Sequence, residues 1–197
     1  MLRDVAAAGA GRTVCAAVQL EAGQLVISEA PLFVVHGQRA LDRSARSLYR
    51  RGASELRCDI SRFLNAHAYA HAPAPTRRQI VEQFCSYDVL LPSLPPTPNL
   101  LPSGTPLVIA DSMRIAAWCR RHVAACAPLP QEELTRALLC FELNSHSLAG
   151  GDNTGAMEHA EAALFAVGSR LNHSCGGQVR YQHSYNNHRI FVWGVCD

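Results

Sequence analysis

Residues 163–175 read Ala163-Leu164-Phe165-Ala166-Val167-Gly168-Ser169-Arg170-Leu171-Asn172-His173-Ser174-Cys175. The stretch passes from an apolar run into short polar side chains, a histidine and a cysteine. Apolar residues of the first kind build cores, whereas the second group carries hydrogen-bonding and nucleophilic chemistry. His173 lies two positions from Cys175. That spacing is open to a nucleophile–base pair, to half of a metal site, or to a structural loop. The residues alone do not choose, because each chemistry needs partners from elsewhere in the chain.

Working outward, the segment is followed by two runs, 177–183 and 188–195, on either side of Asn186-Asn187, which read as the strands and turn of a hairpin. Ahead of it, residues 149–157 (AGGDNTGAM) form a loop after a helix that opens at Pro130. Pro130 suits a first helical turn, Glu132 and Glu133 complement the helix dipole, and Leu134, Leu138 and Phe141 supply a buried stripe. Another helix is expected from a cap at Asp111 or Ser112 to about Cys126. Residues 92–106 hold six prolines and read as a surface loop. Residues 60–91 read as helical with a break near Pro73 and Pro75.

At the other end, 12–20 and 24–35 read as two strands joined into a hairpin by Glu21-Ala22-Gly23, where Gly23 can take positive φ. Between 38 and 57, Arg39, Arg43, Arg46 and Arg50 recur at helical spacing opposite Leu41, Ala45 and Leu48. This arginine face reads first as solvated surface and second as a dock for an acidic partner or a nucleic-acid backbone. Strands at both ends with helices between them define an α+β fold.

Composition excludes several classes. Hydrophobic residues make up 48% and charged residues 17%, the reverse of a disordered chain. The net charge of +2 is too small to indicate a nucleic-acid partner. All 18 positive charges are arginines, because the sequence contains no lysine. No apolar run reaches membrane-spanning length, and the N-terminus lacks a signal-peptide core. The eight cysteines contain no Cys-x-x-Cys pair, so reduced thiols in the cytoplasm or nucleus are expected. His67 and His71, four residues apart on a predicted helix, could offer two metal ligands on one face, with Cys58 and Cys85 nearby in sequence. Such pairs are more often plain surface histidines.

Residues 163–175 resemble the Asn-His-Ser-Cys signature of the SET-domain protein lysine methyltransferases, and are most similar to the branch of SET-and-MYND proteins and their MYND-less relatives. Two further segments agree in kind and order. Residues 11–17 (GRTVCAA) resemble the family's opening Gly-Arg-Gly-loop strand, and 138–148 (LLCFELNSHSL) its helix end bearing an Asn-Ser pair. The resemblance implies SET-type small β-sheets with a helical insertion: a core split between 9–36 and 137–197, and an insertion over 37–136. It implies S-adenosylmethionine as cofactor and a protein with a target lysine, histone or non-histone, as substrate. Carried over by position, Gly11 and Arg12 approach the methionine part of the cofactor, Asn144 the ribose, and Asn172 and His173 the adenine and the methionine amine.

The chain also departs from the family pattern. Gly176-Gly177-Gln178 stand where x-Pro-Asn usually follows, and Thr13 stands where the opening loop has its second glycine. In the family the cysteine matching Cys175 binds zinc with three cysteines of a tail, and the catalytic tyrosine lies in a strand that would follow Asp197. The chain is therefore expected to be an incomplete piece of a methyltransferase, with no catalytic residue named and zinc expected only with such a tail. A catalytically inactive SET-like module that binds a peptide or protein is the alternative. The absent strand is expected to leave the last one as an unpaired edge.

Overall fold

The computed structural model describes residues 2–7, 11–84, 107–147, 162–171, 179–184 and 189–194. The expected proline-rich loop at 92–106, the loop after Leu148 and the Asn186-Asn187 turn lie outside them. Strands β1 (Leu2–Ala7), β2 (Gly11–Ala16), β3 (Leu25–Glu29) and β4 (Phe33–Val35) come first. Helices α1 (Arg43–Leu56), α2 (Ser61–His71), α3 (Ala74–Gln83), α4 (Leu107–His122) and α5 (Gln131–Asn144) follow. Strands β5 (His146–Ser147), β6 (Ala162–Leu164), β7 (Val179–Ser184) and β8 (Arg189–Gly194) complete the order, and the class is α+β as read from the sequence.

The strands make three small antiparallel groups: β1 with β2, then β3-β8-β7, then β4-β6-β5. The C-terminal hairpin forms as expected, with Val179 facing Gly194 and Ser184 facing Arg189. The N-terminal hairpin does not. The turn at 21–24 is present, with Gly23 at φ +73° and the Gln24 amide bonded to the Glu21 carbonyl, but the strands it joins do not pair. β2 pairs with β1, and β3 pairs with β8 near the other end of the chain. Nor is 24–35 one strand. Pro31, which has no N–H to donate, follows β3, and β4 joins a different sheet. β8 is the central strand of its sheet, which corrects the expectation of an unpaired last strand.

Among the described residues, five helices build most of the main core. Tyr49, Phe63, Tyr69, Ile80, Ile115, Leu134 and Phe141 are buried there, and α5 packs against α2, α3 and α4. Burying each of these large side chains contributes about 1.5–3 kcal/mol. α1 approaches α2 and α4 closely at Gly52, where a Cβ would lie 2.7 Å from Phe63 Cε1 and 2.9 Å from Trp118 Cη2. The helix that begins at Pro130 is as expected, and its stripe of Leu134, Leu138 and Phe141 is buried. The break at Pro73 is present, with Ala72 extended before it, as a residue preceding proline must be.

Two helix starts differ from expectation. α1 begins at Arg43, capped by Asp42, whose Oδ1 accepts from the Ala45 amide at 2.7 Å. Arg39 and Leu41 precede it, so the four arginines are not one ladder. Arg46 donates to the Leu41 carbonyl and Arg50 to Gln38 Oε1, so these two brace the connection before the helix. α4 begins at Leu107, which places Asp111 and Ser112 inside it. Asp111 pairs with Arg114 at 3.1 Å, and the Ser112 hydroxyl donates to the Val108 carbonyl.

A second, smaller core of Ile27, Ala163, Phe165 and Val192 lies where β3, β6 and β8 meet. Side chains alternate across a strand, so Leu164 and Val35 turn to the helices while Ala163 and Val34 turn to the small core. β6 is covered on both faces. This is why its sequence is uniformly apolar rather than alternating.

Candidate functional site

Helix α5 runs directly into β5, and β5 lies against β6: His146 faces Ala163 and Ser147 faces Ala162. The helix end bearing Asn144 is thereby tied to the strand that opens the segment 163–175. The Asn144 side-chain amide donates to the Cys140 carbonyl at 2.9 Å. This is a helix-end bond that anchors one N–H of the amide.

After β6 the chain folds into a tight turn. The Phe165 amide donates to Ser169 Oγ at 2.8 Å, and the Ser169 amide returns to the Phe165 carbonyl at 3.2 Å. A single turn of 3-10 helix, Gly168–Arg170, closes it, with the Leu171 amide on the Gly168 carbonyl. The first amides of any helical turn lack partners within it. Glu29, the last residue of β3, supplies them: its carboxylate accepts from the Val167 amide at 3.1 and 3.2 Å and from the Gly168 amide at 2.9 Å. Charge-assisted bonds of this kind to backbone N–H are about twice as strong as neutral ones.

His146 packs on the same turn. Its ring stands edge-on to Phe165 at 5.7 Å and hydrogen-bonds the Gly168 backbone. Burial lowers its pKa from the usual histidine value, opposed by that hydrogen bond and by the charge of Glu29. The imidazole is held neutral at physiological pH.

β2 also packs against the Gly168–Arg170 turn. In β2, Gly11 and Arg12 are paired with Ala7 and Ala6 of β1, so they start a strand rather than lie in an open loop. Thr13 continues this strand opposite Val5, a place that suits a β-branched residue. Three segments of distant sequence position therefore converge: 11–16, 144–147 and 165–171. Asn172, His173 and Cys175 follow directly but lie outside the described residues, as does Cys85.

Glu29, His146 and Ser169 were not singled out from the sequence as site residues. Glu29 had one signal, an acid closing the apolar run of β3. Nothing local marks the strand's partner. Among the described residues no group of three or more His, Cys, Asp or Glu side chains could hold a metal, and no helix is long and apolar enough to cross a membrane. No protein-family model matches the chain, and no curated protein matches it.

Proposed function

We propose that the chain carries the cofactor-binding part of a SET-type, S-adenosylmethionine-dependent protein-lysine methyltransferase. The observation that supports this most is the convergence just described. Three segments that resemble the family's cofactor-binding elements meet around one turn, although more than a hundred residues separate the first from the others.

In this reading S-adenosylmethionine supplies a methyl group on a sulfonium, and a neutral lysine amine of a protein substrate accepts it. The work of the chain is positioning, which can account for much of the acceleration of such an in-line displacement. Gly11 lets backbone approach the cofactor's methionine part, beside Arg12. Asn144, whose side-chain amide also donates to the Cys140 carbonyl, is the residue that meets the ribose in this reading. Asn172 and His173 hold the adenine and the methionine amine. Cys175 is a zinc ligand only with further cysteines, and no catalytic residue is assigned.

The second reading is a SET-like module that binds a peptide or protein without chemistry. The Asn144–Cys140 bond favours it, since that bond gives Asn144 a structural role. Methyl transfer from labelled S-adenosylmethionine to a lysine-rich protein pool distinguishes the two. Incorporation by the full-length protein supports the enzyme. Cofactor binding without incorporation, or neither, supports the module.

A further inference from the structure

His67 and His71 sit one turn apart on α2, with ring centres 4.1 Å apart and planes inclined by 39°. Each ring is held through its Nδ1. The His71 Nδ1 meets the His67 carbonyl oxygen at 2.8 Å, and a carbonyl only accepts, so this nitrogen carries the proton. The Nε2 of His71 is then the atom with the lone pair. The His67 Nδ1 lies 2.7 Å from the Tyr49 hydroxyl. A phenol can accept as well as donate, so the tautomer with Nδ1–H donating to Tyr49 gives His67 the same arrangement.

Metal-binding histidines are built this way: one ring nitrogen is fixed by a carbonyl, carboxylate or similar partner, and the other faces the ion. Tyr49 is suited to the fixing role because it is almost wholly buried, and its ring stands edge-on to His67 at 5.5 Å.

The geometry points to a two-histidine site for a divalent transition-metal ion, formed by Nε2 of His67 and Nε2 of His71, with Tyr49 orienting the first. No third described His, Cys, Asp or Glu joins them, so water completes the coordination. The site is a surface one that exchanges its ion, distinct from a closed four-ligand structural centre. Imidazole pairs take Cu²⁺, Ni²⁺ and Zn²⁺. Zn²⁺ is the probe of choice, because the eight thiols of the chain would reduce Cu²⁺.

The test is a calorimetric titration of the full-length, reduced protein with zinc chloride, compared with His71→Ala and His71→Gln. Because His71 is exposed, both variants keep the fold, which circular dichroism verifies. Zinc held by thiols is common to all three proteins and cancels. The expected result is loss of one equivalent of zinc binding in both variants. Tyr49→Phe, which retains both ligands, weakens that equivalent by about tenfold. Equal zinc binding by the wild type and the His71 variants overturns the site, as does a wild type that binds no zinc.

Discussion

Glu29 and Gly168, separated by 139 positions in sequence, are joined by a 2.9 Å hydrogen bond from the Gly168 amide to the Glu29 carboxylate. The bond ties β3, in one sheet, to the turn that follows β6, in another. Since Gly168 is buried, its amide has no water to replace a lost acceptor. Glu29→Ala is therefore expected to cost about 2 kcal/mol in urea unfolding. Hydrogen exchange at Val167 and Gly168 should accelerate in this variant, while α5 amides keep their protection relative to global stability.

Gly52 is required by packing against Phe63 and Trp118, not by its backbone angle. Alanine is the better helix former by about 1 kcal/mol. Overpacking costs about 1–3 kcal/mol. The clash wins where the rings cannot move, so Gly52→Ala is expected to lower the urea midpoint. A midpoint raised by this substitution would show that the Phe63 and Trp118 rings yield freely.

Arg57 ends α1 in the left-handed region at φ 52°, ψ 48°. A side chain there costs about 1–2 kcal/mol, and glycine removes that strain while loosening the unfolded chain. Arg57→Gly is expected to stabilise by about 0.5–1 kcal/mol net, measured by chemical denaturation. A loss of stability would mean that the exposed Arg57 side chain makes an interaction worth more than the strain.

His146 gives the small core a pH dependence. Its pKa lies below the ordinary 6.5 in the folded chain, chiefly because burial disfavours the cation. The unfolded chain therefore binds more protons in the interval between the two values. The stability that His146 contributes is complete above about pH 6.5, falls as pH drops through that interval, and levels below the folded pKa. Denaturation midpoints across this range should fall on acidification, and His146→Gln should flatten the part of the fall that belongs to this residue. An unchanged slope in the variant would remove His146 as the cause.

The helices, the 21–24 turn and the C-terminal hairpin were the legible part of this fold, and the partners of the N-terminal strands were not. Leu134, Leu138 and Phe141 announce a buried stripe because helical spacing is local, and Pro73 and Pro130 mark boundaries for equally local reasons. Leu25–Glu29 reads as a strand but says nothing of β8, because pairing is decided by which elements bury the same core. Adjacent strands were therefore joined into a hairpin that does not form. Asp111 and Ser112 carried a cap signal, yet α4 starts earlier. In mid-helix the first bonds Arg114, and the second returns its hydroxyl to the Val108 carbonyl. At the site, Asn144 was legible as a motif residue, whereas Glu29 and His146 gained their positions only from folding.

The most direct test of the SET-type reading is the binding of S-adenosylhomocysteine to the full-length protein by calorimetry, with Asn144→Ala as the comparison. The account predicts saturable binding with one equivalent per chain, weakened about tenfold or more in the variant while the helical core melts within a few degrees of wild type. No binding by the wild type, or equal binding by both proteins, would contradict the assignment of the cofactor to the place where β2, the α5 end and the 165–171 turn meet.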